Sequence, residues 1–431
     1  MDNNVGARDN RFIISFSALL LAMVVAFSLL YQFVSATFLV LGYLTCVLVR
    51  SLSKPYKLYS QLKNGYLVAC AVLVFLIVAY FLSNKTRDIQ IDIFVLFGGI
   101  FSLLFVDQNV RDFSPAVKII KWLALFYAIG VFLQALFPGV YRTIVAALFH
   151  RITPGTSAAW GTLSGYRGFT SNTGFTAGYL CMGLIVILSE MSKKQSNHRK
   201  KTSAVVFLIA ALLLTAKRGH TLFLLLSLLM SFLLPVRGEK KLKRLFNVLC
   251  IIVGMIAIFF LFRDLLSRIP LVGAIVKTIN GIALGEDVTT GRSILYSWAW
   301  LQFKKHPLFG IGWGAFRRTT AGNATFIKEL DAHNIYLQLL CETGVVGFAI
   351  FTTFFLHFWN TTKKAFCALA ASASGRKSDE YSLLFFSLTY QSFFLLYGLS
   401  GNPLYDQTYQ IVYCFSCLIA SSYVVSERSP V

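Results

Sequence analysis

The sequence predicts an all-α, polytopic integral membrane protein with about twelve transmembrane helices and one large, partly helical loop between spans 9 and 10. Three observations predict it. Of 431 residues, 13% are charged and 56% hydrophobic, whereas a soluble domain is about a quarter charged. Forty phenylalanines accompany repeated apolar runs of roughly 17 or more residues, each able to cross about 30 Å of hydrocarbon. The basic residues lie mostly in short loops that alternate along the chain, which is the positive-inside pattern.

In order, the expected spans cover 12–30, 33–49, 66–82, 91–106, 119–137, 173–190, 203–216, 219–234, 246–262, 335–358, 382–399 and 407–425. No signal-peptide cleavage pattern appears, so 12–30 reads as a retained first span. Loops expected inside hold Arg50, Lys54, Lys57 and Lys63, then Arg111 and Lys118, Lys193 to Lys201, Arg237 to Arg244, and Lys363 to Lys377. The expected outer loops hold fewer, chiefly Lys85, Arg87, Arg142, Arg151 and Arg167. Both termini are therefore expected in the cytoplasm. The chain reads as a single membrane domain, 1–431, with outer loops at 138–172 and 263–333. The net charge of +22 invites a nucleic-acid reading, and its alternating distribution argues against one. Nearly all eight cysteines fall within spans, and the Cys414–Cys417 pair, one turn apart in an apolar helix, reads as packing rather than redox chemistry.

The stretch from Gly291 to Gly347 is neither a plain span nor a short connector. It begins GRSILYSWAWLQFKKHPLFGIGWGAF and ends DAHNIYLQLLCETGVVG. Ile294, Leu295, Trp298 and Leu301 recur at helical spacing, and Lys304 and Lys305 close that run. Pro307, Gly310, Gly312 and Gly314 then break regular structure. His333 stands where a loop meets an apolar helix, so a titratable imidazole sits at the membrane edge and is a candidate for proton transfer. Its alternative is a packing or capping histidine. Asp331 could orient the ring, and Asn334 could cap the helix from Ile335. Glu342 lies about 12 Å along that helix and should face the protein interior with a partner, its role open.

Three arginines are expected near the outer face: Arg218 in the turn TAKRGH, Arg167 in GYRGFTSNTG, and Arg292 at the head of the large loop. Guanidinium forks suit phosphate oxygens, while an arginine at a membrane edge can also simply snorkel. No phosphate-binding G-x-x-x-x-G-K-S/T, no H-E-x-x-H and no outer carboxylate cluster suited to Mg²⁺ is present in the sequence. No metal site or cofactor is expected, and a bound diphosphate would have to be neutralised by arginine.

With TAKRG, TTGRSILYSWAW, P-L-F-G-I-G-W-G and H-N-x-x-L-x-x-x-x-E-x-G together, the chain resembles the bacterial O-antigen ligase and polymerase family, best over about 160–347. The resemblance implies that Arg218 and Arg292 bind a diphosphate and that His333 is essential, with Arg167 as a further candidate. It implies transfer of a glycan from an undecaprenyl-diphosphate-linked donor to an acceptor sugar hydroxyl at the periplasmic face of the inner membrane, with inversion. The acceptor would be lipid A–core for a ligase, or a second lipid-linked repeat unit for a polymerase; the ligase is the preferred expectation. A transporter or flippase is the rival from another class. Against it, the halves are unalike and the ionisable residues gather at one face rather than the midplane.

Overall fold

Helices alone make up the regular structure of the described residues. The structure, a computed structural model, describes residues 23, 25–26, 65–82, 87–105, 110–148, 165–193, 198–236, 238–289, 291–321, 330–372 and 374–428. The expected spans at 12–30 and 33–49 lie outside these residues but for positions 23, 25 and 26.

The first described helices are α1 (Tyr66–Leu82), α2 (Arg87–Ser102), α3 (Ser114–Leu136), α4 (Pro138–Leu148) and α5 (Thr173–Met191). They are followed by α6 (His198–Leu214), α7 (Arg218–Leu233), α8 (Glu239–Leu261), α9 (Arg263–Leu266) and α10 (Pro270–Ala283). The chain ends with α11 (Arg292–Lys305), α12 (Ala315–Ala321), α13 (Ile335–Ala371), α14 (Asp379–Tyr397) and α15 (Gln407–Arg428). Every expected span from 66–82 onward falls on a helix. Among the described residues, four helices are long and apolar enough to cross a bilayer: Val110–Leu136, Thr173–Met191, Ile335–Ala371 and Gln407–Glu427. Others, such as Arg218–Leu233, are apolar but shorter. The chain is thus a helical membrane protein, and four qualifying helices are fewer than the expected twelve.

Local chemistry sets the helix starts that matter for the site. Asn172 caps α5, its side chain accepting from the Gly174 amide at 2.7 Å. Asn334 caps α13, accepting from the Tyr336 and Leu337 amides at 3.0 and 3.1 Å. Ser378 caps α14 from the other end of the bundle, with Asp379 and Glu380 in the first turn complementing the helix dipole. Helices α13, α14 and α15 pack on one another, α5 packs between α3 and α14, and α7 lies along α14. The largest core cluster runs through these elements, with Tyr127, Phe354, Tyr390 and Tyr413 wholly buried.

The 37 residues of α13 would span about 55 Å as one straight helix. The helix breaks instead at Gly344, whose φ of 64° and ψ of −169° belong to a region open essentially to glycine. The break frees backbone groups, and the glycine-rich loop after α11 satisfies them. The Ile311 and Gly312 amides donate to the Cys341 and Glu342 carbonyls at 3.1 and 2.9 Å. The Val345 and Val346 amides donate back to the Pro307 and Leu308 carbonyls at 2.9 and 3.3 Å. At Gly310 (φ 70°) a Cβ would fall 2.3 Å from the Glu342 carbonyl carbon. The P-L-F-G-I-G-W-G loop and the E-T-G turn are therefore two halves of one structural unit.

Helix α11 forms where the sequence pattern expects it, but its buried side differs. Leu295 and Ala299 face the small cluster with Phe316, Ala332 and Cys341. Ile294 and Leu301 are exposed at 50% and 38%. The supporting surface is narrow and covers one stripe only, so half of the expected apolar set stays outside it.

Candidate functional site

A cavity of about 620 Å³ lies where the starts of α5, α7, α11 and α13 meet the end of α14. Arg218, Arg292 and His333, from three separate stretches of sequence, all line it. Each is delivered by a special piece of backbone.

Between α6 and α7 the chain turns over Thr215, Ala216 and Lys217, with Ala216 in the left-handed region at φ 59°. This reversal is tight because Gly165 packs against it; a Cβ there would lie 2.2 Å from the Thr215 carbonyl oxygen. Arg218 opens α7 and donates from Nη1 to the Ala274 carbonyl at 3.4 Å. Arg292 opens α11 after Gly291 (φ 82°), and its Nη1 donates to the Ser400 carbonyl at 2.9 Å. The lead-in turn is built by Asp287, which accepts from the Thr289 and Gly291 amides at 2.9 and 3.1 Å. His333 has φ 54°, and with Ala216 it is one of two non-glycine residues at positive φ among the described residues. Both border the cavity. Left-handed non-glycine backbone costs on the order of 1–3 kcal/mol and persists only where the surroundings enforce it. Around His333 they do: the Tyr296 hydroxyl donates to its carbonyl at 3.3 Å, and the Ile335 amide donates to the Gly398 carbonyl at 2.9 Å.

Lys217, unremarked in the sequence reading, is a third cation on the same wall. Burial, and then Arg292 and Arg218, hold its ammonium below the usual lysine range. Neither Lys217, Arg218 nor Arg292 has an ion pair with a carboxylate among the described residues. Three partly buried positive charges without carboxylate partners among the described residues make a wall complementary to an anion. Burial, with Arg292 adding to it, also pushes the His333 imidazole below its ordinary pKa, while Asp331 pulls the other way. The shift favours the neutral ring, the state in which it can accept a proton.

Two expected site residues take other parts. Asp331 also borders the cavity but has no hydrogen bond to His333; the Arg317 fork takes its carboxylate at 2.6 and 2.7 Å. A bidentate guanidinium holds a carboxylate more firmly than one imidazole N–H, so Asp331 anchors α12 to the loop instead. The carboxylate in return raises the Arg317 pKa further above its ordinary value. Arg167 is not part of the cavity wall. Its Nη1 donates to the Ser171 carbonyl at 3.4 Å, and its amide, with that of Gly168, donates to Gln134 Oε1 at 2.8 and 2.7 Å. It braces the turn before α5, so of the three expected arginines only Arg218 and Arg292 line the cavity, where Arg317 of α12 joins them.

Glu342, 1% exposed, accepts from the Gly314 and Phe316 amides at 2.8 and 3.1 Å and from the Tyr405 hydroxyl at 2.7 Å. It caps α12 and ties the glycine-rich loop to the broken α13. The cavity lining also holds the aromatic and acidic side chains of Tyr397, Tyr405, Asp406 and Tyr409. No motif marked these residues, which sit in or beside apolar runs and become a wall only when α14 and α15 come together.

Residues 203–352 match the family described as O-antigen ligase. The matched stretch runs from α6 to the first half of α13 and so contains Lys217, Arg218, Arg292, His333 and Glu342. No curated protein matches the chain.

Proposed function

We propose that this protein transfers a glycan from a polyprenyl-diphosphate donor to an acceptor sugar hydroxyl, in the manner of an O-antigen ligase acting on undecaprenyl-linked O-antigen and lipid A–core. One observation carries the reading: Lys217, Arg218 and Arg292, without carboxylate partners among the described residues, share one cavity with His333. The acceptor hydroxyl attacks the anomeric carbon as the bond from that carbon to the diphosphate oxygen breaks. His333 takes the hydroxyl proton as general base. The electron pair leaves with the diphosphate, whose growing charge is met by the guanidinium forks and the ammonium. A single displacement inverts the anomeric centre. The neutral imidazole suits its task because a protonated ring has no lone pair to offer.

The cavity is assigned to the periplasmic side and both termini to the cytoplasm, on the alternation of basic loops. The resident membrane would then be the bacterial inner membrane.

The test is glycan transfer by the purified protein in detergent, with a lipid-diphosphate-linked glycan, lipid A–core and no ion gradient. Formation of the joined product, insensitive to chelator, is expected. Joining of two lipid-linked units with lipid A–core left untouched would assign the polymerase reaction instead. Absence of any transfer, with movement of the lipid-linked glycan across vesicles, would overturn the enzyme reading. A cysteine placed at the exposed Leu284 that is labelled only from the cytoplasm would overturn the topology.

A further inference from the structure

Gln338 lies in the first turns of α13, wholly buried. An amide side chain can accept two hydrogen bonds and donate two, and here all four are made. Its Oε1 accepts from the Ala332 amide at 2.9 Å and from Asn402 Nδ2 at 2.6 Å. Its Nε2 donates to Asp331 Oδ1 and to Glu342 Oε1, each at 3.3 Å. Two of these partners are the residues immediately before His333. A third, Glu342, is the buried anchor that holds the glycine-rich loop and Tyr405. The fourth, Asn402, also borders the cavity, on the segment joining α14 to α15.

We propose that Gln338 is a positioning residue for His333: its amide clamps Asp331 and Ala332 against the Glu342 anchor and so holds the imidazole in the cavity beside Arg292. The proposal rests on the reading of His333 as general base. The clamp is required because His333 occupies a left-handed conformation that the chain abandons when nothing enforces it. Capping by Asn334 orders the helix start but leaves the two residues upstream of His333 to other partners. The groups that set the charge around the imidazole come from several elements: Arg292 from α11, Lys217 from the turn before α7, Arg317 from α12, and Asp331 from its own loop. Of these only Asp331 favours the protonated ring.

The experiment compares the full-length wild type with Gln338→Met, His333→Ala and the double variant, with rates taken per folded protein at saturating donor across pH. Gln338→Met keeps the side-chain volume and removes all four hydrogen bonds. It is expected to lower turnover about 10- to 100-fold, the scale of a small misplacement of a reacting group, with donor affinity nearly unchanged. The decisive readout is the acid limb of the pH–rate profile. A ring released from burial and from Arg292 returns toward the ordinary histidine value of about 6.5, so the limb moves to higher pH. In the His333→Ala background the same change should cost less than about threefold, since residues acting as one unit are not additive. Gln338→Asn, one methylene short of reaching both sides, moves the limb in the same direction and serves if the methionine variant does not fold. An acid limb that stays in place in the folded variants, or an undiminished loss in the His333→Ala background, overturns the proposal. A fully active His333→Ala protein removes the general-base reading itself, and the proposal with it.

Discussion

The same helices carry two clusters of positive charge, one at each end, and the two are built on opposite principles. Helix α5 runs about 28 Å from Asn172 at the cavity to Glu190 at the far end; α14 runs the other way, from Asp379 to Tyr397. At the far end four of the cations have carboxylates. Lys121 and Lys201 share Glu190 at 2.8 and 3.5 Å, Arg111 meets Glu380 at 2.7 Å, and Lys193 meets Asp379. At the cavity end Lys217, Arg218 and Arg292, each partly buried, have none among the described residues. A cation that the protein pairs with its own carboxylate is architecture. One that it buries in part and leaves charged stores an attraction that only a bound anion can satisfy.

Substitutions at the two ends should therefore separate cleanly. The largest effect is expected at His333. Replacing it with alanine should lower turnover by about 10²- to 10⁴-fold while the melting temperature and donor affinity stay close to wild type, because Asn334 still caps α13. A purely packing histidine would reverse that order, with stability lost first and activity falling only with the folded fraction. In the wild type the rate should fall as pH drops through the imidazole pKa. Since burial and Arg292 depress that pKa, the fall should come below pH about 6.5.

The next effect is at the guanidinium forks. Arg218→Lys and Arg292→Lys keep the charge but lose the paired donors, and each should cost about 10- to 100-fold in kcat/KM. Unchanged kinetics in both variants would mean that point charge alone suffices there and would remove the bidentate contact from the mechanism.

A smaller effect is expected at Lys217. Lys217→Met should weaken donor binding by about tenfold, in line with loss of one charge-assisted hydrogen bond. The wild-type ammonium binds the diphosphate, and its pKa is lowered. Donor affinity should therefore decline as pH rises through that lowered value, before an ordinary lysine would discharge. The variant should lack this alkaline decline; titration of donor binding against pH checks both.

The smallest effect belongs to the far end. Glu190→Gln breaks two partly exposed ion pairs, worth about 1 kcal/mol or less each. Turnover should not change, and the melting temperature should fall by a few degrees at most. A large loss of activity from this substitution would break the division between the two ends.

Much of this was legible from residue order because hydropathy and charge are local quantities. A lipid-spanning helix must be apolar along its own length, so the helical class could be read directly. Its ends could be read to within a few residues, as at Thr173 and Ile335. Arg218, Arg292 and His333 stood out because a cation or imidazole beside an apolar run is costly unless something uses it. Asn334 could be named as a cap since capping involves only the following turn.

Other features depended on partners far away in sequence. Whether Asp331 turns to His333 or to Arg317 is a competition between side chains, and the forked guanidinium wins it. Arg167 has the same local credentials as Arg218, yet Gln134 and Ser171 hold its segment to a turn outside the cavity. Lys217 carries no mark of its own in the sequence, and the turn at Ala216 places it on the cavity wall. Gln338 carries no sequence signal at all, as its four hydrogen bonds exist only once α13, the His333 loop and the Asn402 segment are packed together. By itself the sequence determined which stretches are apolar, where helices begin and which residue types can do chemistry, because each follows from a residue and its near neighbours. Only the tertiary structure decided which charges are neutralised and which imidazole is held in place, because hydrogen bonds and ion pairs act over a few ångströms and residues that meet across the cavity are far apart along the chain.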